Sequence, residues 1–373
     1  MTAAPGPSLL AVGTAVPSHE LSQPVLRDWF AEQEGIDRLS ARLIRAVFDS
    51  SAIERRHTVI AGLAEPQEGL FSDAEGSLRS PGTRERNDLY RREAPALAAA
   101  SASDALRRAG IAPAEVTHVV TVSCTGLFAP GPDFRLVRDL GIPSTVERFH
   151  LGFVGCAAAF PGLRAAHHIC RSQPDAVVLV VCVELCSLHI RSSTDPEQIV
   201  ASAVFADGAA AAVVSSGARA AEGPRLEIGT FSTTITSEGE ADMDWSVGDH
   251  GFEMKLSAEV PRIVGREVRG AFAHAFGDDV APVDAAEAWA VHPGGRSVLD
   301  RVQQGLELPE DVLDHSRAVL REYGNMSSAT VLFILQRILD DEALAEGARV
   351  AGMAFGPGLT VETATFRRWG SGA

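Results

Sequence analysis

Short apolar runs and amphipathic stretches alternate along this chain. Runs rich in β-branched residues predict strands at Leu9–Val12, His118–Val122, Ala176–Val183, Ala209–Val214, Leu226–Thr230, Ala288–Val291 and Ala351–Ala354. Alanine-rich stretches with helical spacing predict helices over Glu93–Ala109, Pro161–Arg171, Pro261–Phe276, Gly295–Gly305 and Ala329–Leu339. Apolar strands alternating with helices point to an α/β protein with mostly buried central strands. Phe205-Ala206-Asp207-Gly208-Ala209 is a turn feeding a small-residue strand, and Phe355-Gly356-Pro357-Gly358-Leu359-Thr360-Val361 repeats that pattern. The repeat fits two related halves with one site between them. Ser215 to Pro224 reads as the linker between halves. Ala61–Asn87 reads as a surface excursion, with Arg84-Glu85-Arg86 as a solvated face.

Composition narrows the class. At 373 residues, 46% apolar and 22% charged, the chain has the make-up of an ordinary globular protein, sized for one pseudo-two-fold unit or two domains. Its 33 basic and 49 acidic residues leave a net charge of −16, which argues against a nucleic-acid-coating surface but leaves room for a local basic mouth. Five cysteines without dense spacing fit a reducing cytoplasm. Cys182 and Cys186 lack the second pair that a zinc site needs, so no metal is expected. The apolar run Ala176–Val183 stops at Glu184, too short to cross a bilayer. Met1–Gly6 has no basic stretch before an apolar core. A cytoplasmic protein without membrane insertion is the expectation.

Three glycine-marked turns carry the candidate chemistry. Cys156 lies in Gly152-Phe153-Val154-Gly155-Cys156-Ala157-Ala158-Ala159. A lone cysteine is usually a small buried hydrophobe, and Cys170 and Cys182 are read that way. Around Cys156, the glycine and alanines allow a sharp turn opening a helix whose positive end would lower the thiol pKa. Pro161 sits awkwardly in that helix. His292 stands between the strand Trp289-Ala290-Val291 and Pro293-Gly294-Gly295, at a strand end of the kind where open α/β sheets place ligands. Asn325, in Tyr323-Gly324-Asn325-Met326-Ser327-Ser328, reads either as an oxyanion donor or as a helix cap. A nucleophile, a base and an oxyanion donor together suit acyl transfer through a thioester.

Six words in order, from about Leu9 to about Arg367, resemble the bacterial-type type III polyketide synthases, the chalcone-synthase-like branch of the thiolase superfamily. They are Ser51-Ala52-Ile53-Glu54-Arg55-Arg56, Gly155-Cys156, Phe205-Ala206-Asp207-Gly208-Ala209-Ala210, His292-Pro293-Gly294-Gly295, Tyr323-Gly324-Asn325-Met326-Ser327-Ser328 and Phe355-Gly356-Pro357-Gly358-Leu359-Thr360-Val361-Glu362. The resemblance implies a thiolase-type five-layered αβαβα fold and a homodimer. Its two pseudo-equivalent halves would be residues 1–220 with Cys156 and 221–373 with His292 and Asn325. It implies an acyl-carrying Cys156, with His292 as its imidazolium partner and His292 with Asn325 holding the malonyl enolate.

Phe205 matches the gatekeeping aromatic between coenzyme A tunnel and cavity. Cavity-lining positions match Cys124, Thr125, Cys186, His189 and Ser327, with Phe252 and Met254 narrowing one side, and small Ala129 stands where plant chalcone synthases carry a larger residue reaching across the dimer, which would open a tunnel. For coenzyme A, Arg42, Arg45, Arg55 and Arg56 gather near the tunnel-mouth words, while Gly294, Gly295 and Arg296 adjoin His292. Ala46 and Ser50 stand where the family commonly has cations. The implied partners are malonyl-CoA and an acyl-CoA starter, as substrates rather than cofactors. Ala129 favours a long acyl starter giving alkylresorcinols or alkylpyrones. The fatty acyl starter is the leading expectation; the alternative is a malonyl-primed route, favoured by Cys124, which resembles the cavity cysteine of bacterial tetrahydroxynaphthalene synthases. A ketoacyl-carrier-protein synthase or a non-catalytic acyl-binding scaffold are the readings from other classes.

Overall fold

The computed structural model describes residues 6–64, 67–216 and 223–370. Its strands are β1 (Ser8–Ala15), β2 (His19–Ser22), β3 (Arg55–Thr58), β4 (His118–Ser123), β5 (Glu147–Gly152), β6 (Val177–Leu185), β7 (Asp207–Ser215), β8 (Arg225–Ile235), β9 (Met243–Gly248), β10 (Gly251–Leu256), β11 (Ala288–Val291), β12 (Arg349–Gly356) and β13 (Thr360–Trp369). The helices are α1 (Gln23–Ala31), α2 (Arg38–Ser50), α3 (Ala61–Ala64), α4 (Thr83–Ala109), α5 (Pro132–Leu140), α6 (Ala159–Ser172), α7 (Pro196–Val204), α8 (Val260–Phe276), α9 (Pro282–Ala285), α10 (Arg296–Leu306), α11 (Asp314–Tyr323) and α12 (Thr330–Leu339). None of the described helices is long and apolar enough to cross a membrane.

The strands form a sheet in the order β11-β12-β13-β8-β1-β7-β6-β4-β5. It divides naturally between β1 and β8, which pair only at Ser8–Glu227 and Leu9–Leu226. Strands β6, β7 and β12 read as unbroken apolar runs because both of their faces are covered. Val178, Val180 and Cys182 of β6, with Ala210, Ala212 and Val214 of β7, face a core that also takes α6 and α12. Their neighbours Val177, Leu179 and Val181, with Ala209, Ala211 and Val213, face a second core with α4. Ala351, Met353 and Phe355 of β12 face a third core built with α8 and α10. The layer order is therefore helix, sheet, helix, sheet, helix, with α6 and α12 in the middle layer. The molecule has the thiolase-like α/β fold, and its middle layer is where the candidate residues converge.

Several local expectations change. Pro161 is accommodated because α6 starts at Ala159, after a 3-10 turn at Gly155–Ala157, so the proline falls in the first turn where its missing N–H costs little. Arg86 is not part of a solvated face. It is fully buried in α4, donating through Nε to Pro81 O (2.8 Å) and through Nη1 to Leu188 O (2.6 Å) and Ile190 O (3.0 Å), with its guanidinium 5.1 Å from the Phe71 ring centre. The rest of the expected excursion is likewise anchored, since Phe71 and Ser72 are buried. Ser215 ends β7 instead of opening a linker, and the expected 220/221 boundary lies outside the described residues.

Candidate active site

Cys156 lies in the 3-10 turn that leads into α6. Gly155 before it has φ +76°, and a Cβ there would stand 2.4 Å from Pro357 Cδ, so only glycine fits this elbow. Pro357 follows β12, which brings the C-terminal half against the nucleophile. His292 directly follows β11, its N–H donating to Met353 O of β12 at 2.8 Å. Its ring is fully buried, and neither nitrogen has a hydrogen-bond partner. A buried imidazole without partners calls for a ligand or a reacting group.

Asn325 is pinned by its backbone. Its N–H donates to Val204 O (2.8 Å) and its carbonyl accepts from Ala206 N–H (2.8 Å), which sets Phe205 beside it. The side-chain Oδ1 accepts from Ser327 N–H (2.9 Å), so Nδ2 is the end left to donate, weakly to Gly294 O at 3.4 Å. Asn325 and Ser327 both interact with the Cys156 thiol. Asn325 thus lowers the thiol's pKa on one side and reaches the His292 turn, at Gly294 O, on the other. As a cap, Asn325 serves only the 3-10 turn Ser327–Ala329 through that Oδ1 bond, since α12 itself begins at Thr330.

Burial dominates the electrostatics. The Cys156 thiol is pushed up to about 11 by burial, with Ser327 and Asn325 pulling the other way. Burial pushes the His292 imidazole down to about 3. The lowering expected from a helix end is outweighed by desolvation.

Two kinds of space meet at Phe205. Outside it lies a cavity of about 510 Å³ bordered by α2, α7, α8, α10 and Asn325. Inside, Cys156 opens on a void of only about 10 Å³, lined by Cys124, Thr125, Cys186, Met254 and Ser327 among others. A neighbouring void of about 20 Å³ adds His189. Each inner void has room for about one water molecule. Trp245 and Met254 border both.

Of the expected lining residues, Cys124, Thr125, Cys186, His189, Met254 and Ser327 border these voids, and one correction follows. Phe252 stands behind His189, stacked on it at 4.4 Å, and does not border the voids described. Ala129 lies at the surface, in a depression with Phe128, Pro130 and Phe134, and does not border this chain's own voids around Cys156.

The expected coenzyme A cations change more. Arg56 is buried and donates to Ser202 O (2.9 Å) and Phe205 O (2.6 Å), so it braces the gate instead of meeting solvent. Arg55 lies 4.0 Å from Glu20 and Arg45 lies 3.8 Å from Asp28. Neither they nor Arg42 line the outer cavity, whereas Gly294, Gly295 and Arg296 do, joined by Arg262 and Arg301.

Known proteins point the same way. The family models for chalcone and stilbene synthases match here, the N-terminal domain over residues 2–218 and the C-terminal domain over residues 227–369. The chain belongs to the chalcone and stilbene synthase family. Members of this family are type III polyketide synthases, acyltransferases that use coenzyme A thioesters. The chain is 29% identical over 365 residues to probable polyketide synthase 1 of Dictyostelium discoideum, covering 95% of itself and 11% of that much longer protein. Among solved structures, the type III polyketide synthase domain of Steely1 from Dictyostelium has a TM-score of 0.88 at 27% identity, with 97% of this chain and 99% of that one covered. Tetrahydroxynaphthalene synthase from Streptomyces coelicolor A3(2) has a TM-score of 0.84 at 26% identity, with 98% and 100% covered.

Within this family member, two site residues escape the sequence reading. Glu184, at the end of β6, is fully buried and accepts from Cys124 N–H (3.0 Å), Thr125 Oγ1 (2.9 Å) and Ser328 Oγ (2.5 Å). It fastens the wall beside Cys156, and its burial raises its pKa. In sequence it only marks where an apolar run stops. Trp245, on β9, donates from Nε1 to Cys124 O at 2.6 Å. Its alternation with Met243 and Val247 before a glycine-flanked turn is a hairpin signal.

Proposed function

We propose that this protein carries out decarboxylative condensation of malonyl-CoA onto an acyl group held on Cys156. The unpartnered, buried His292 beside the Asn325 turn is the observation that carries this reading. Sγ of Cys156 attacks the starter thioester carbonyl while His292 takes the thiol proton and passes it to the departing coenzyme A sulfur. The malonyl thioester then binds with its carbonyl oxygen toward His292 and Asn325 Nδ2. Loss of carbon dioxide breaks the C–C bond and leaves an enolate whose charge those two donors stabilise. The enolate carbon attacks the Cys156 thioester, the C–S bond breaks, and the lengthened chain leaves on coenzyme A with the thiolate restored. Phe205 and the apolar wall around it favour loss of the carboxylate's charge.

The small size of the two inner voids described beside Cys156 favours a short, malonyl-derived starter over a fatty acyl one. Cys124, beside Ser327 at 3.5 Å, lends the same support. Product mass spectrometry tests this reading, with malonyl-CoA alone and with a series of acyl-CoA starters. A product formed from malonyl-CoA alone and indifferent to starters is expected. Products whose mass tracks starter length, with matching adducts on Cys156, would overturn it in favour of alkylresorcinols or alkylpyrones.

Two copies of the chain form the working unit in this reading. Strand β5 is a sheet edge with mostly exposed residues, Phe149 among them at 46% exposure, and Leu127, Phe153 and Val154 add exposed apolar surface. An open edge flanked by apolar side chains suits pairing with a second copy.

A further inference from the structure

The outer cavity carries its cations on one side. Its α2 wall is Val47, Ser50 and Ser51, without charge. Across from it, α8 and α10 bring Arg262, Arg296 and Arg301 to the rim, all three exposed. Arg301 crosses α8 at Gly265, where a Cβ would lie 3.3 Å from its Cδ, three residues on from Arg262. Their present partners are weak ones. Arg262 pairs with Glu259 on the same helix, Arg296 Nε lies 3.5 Å from Asp300, and Arg301 contacts Gln304 at 3.4 Å. Among the described residues no carboxylate pairs with Arg301. Asp300, the acid on this rim, is also held by Arg317 at 2.8 Å. Exposed pairs of this kind contribute little and give way to a better partner. In a chain of net charge −16, three arginines facing an apolar shaft are a local reversal of the field.

We propose that Arg262, Arg296 and Arg301 clamp the phosphate groups of coenzyme A. The nucleotide then lies on the α8–α10 face, and the uncharged pantetheine arm runs past Gly294 and Gly295 to Phe205. Guanidinium forks match phosphate oxygens in pairs, while the apolar shaft suits an arm without charge. This assignment rests on the condensation proposed above and adds which side of the cavity reads the substrate's charge. It also accounts for Ala46 and Ser50 on α2, where no cation is then needed.

The test compares wild type with Arg262→Gln, Arg296→Gln, Arg301→Gln and the triple variant, with Arg45→Gln on α2 as control. Calorimetric titration with free coenzyme A needs no turnover. The triple variant should lose about tenfold or more in affinity, and Arg45→Gln should lose none. In steady state, KM for malonyl-CoA should rise by a similar factor, while kcat and the KM for malonyl-N-acetylcysteamine, which lacks the phosphates, stay unchanged. Unchanged coenzyme A affinity in the triple variant overturns the clamp, as does an equal rise in KM for both thioesters. Coenzyme A binding that depends on the arginines, without any polyketide formed, keeps the clamp and sinks the condensation reading instead.

Discussion

At the scale of single residues, the proposed condensation couples Cys156 to His292. Burial, against the pull of Ser327 and Asn325, holds the thiol at about 11, and burial holds the imidazole at about 3, so both are neutral at pH 7 unless a proton passes between them. A thiol that ionises only near 11 carries little thiolate at neutral pH, and the thiolate is the nucleophile. Removal of His292 should therefore expose the thiol's own titration. In His292→Ala, alkylation of Cys156 by iodoacetamide should climb about tenfold per pH unit between about pH 7 and 10, following the thiolate fraction. At pH 7 the wild type should react at least about tenfold faster than this variant. Equal rates at pH 7 would remove His292 from its role as the base. Asn325→Ala should leave alkylation largely intact and suppress decarboxylation of malonyl-CoA, because its amide meets the enolate oxygen and not the proton of the thiol.

At the scale of elements, the β9–β10 hairpin closes the inner site. Trp245 packs edge-on against His189 (5.3 Å) and Phe252 (6.0 Å), is tied to Cys124 O and borders both small voids, as do Met254, Cys186 and Phe205. Trp245→Ala should join them and lengthen the polyketide by at least one malonyl unit, read as product mass. An unchanged product would mean that another wall sets the length. Strand β6 contributes the other fastening, Glu184. Glu184→Ala strands the donors of Cys124, Thr125 and Ser328 in a buried site and should cost about 2–3 kcal/mol, measured as a shifted denaturant midpoint. Glu184→Gln keeps one acceptor and should cost less.

These elements also mark where sequence reading worked. The central strands were legible because apolar residues on both faces leave long, unmistakable runs, as in β6 and β7. Strand β5 was not, since its mostly exposed residues look like loop, and the β9–β10 hairpin was passed over although its alternation into a glycine-flanked turn signals it. Glu184 and Arg86 were hidden for a related reason: a charged residue reads as surface until the groups that satisfy it, far away in sequence, are seen. The candidate words stood out because each sits in a glycine-marked turn. The cations for coenzyme A were sought on α2, on β3 and at Arg296; of these only Arg296 lines the outer cavity, where Arg262 on α8 and Arg301 on α10 join it without any marking word.

At the scale of the whole molecule, the site is a seam. Cys156 comes from the first half, His292 and Asn325 from the second, and the residues holding them cross between halves: Asn325 bonds to Val204 and Ala206, and Pro357 presses on Gly155. The exposed β5 edge belongs to the sheet half that carries Cys156, and Phe153, with φ +57°, leads from that edge toward the nucleophile while packing on Phe252 at 5.4 Å. Covering the edge with a second copy would therefore also steady the elbow. Phe149→Asp places a charge on the edge strand, where pairing would have to bury it. In light scattering the wild type should run as a dimer and this variant as a monomer. The variant should also lose condensation activity, although it lies outside the voids around Cys156. A dimeric Phe149→Asp protein would show that the copies meet elsewhere, and a fully active monomer would show that the elbow stands without its neighbour.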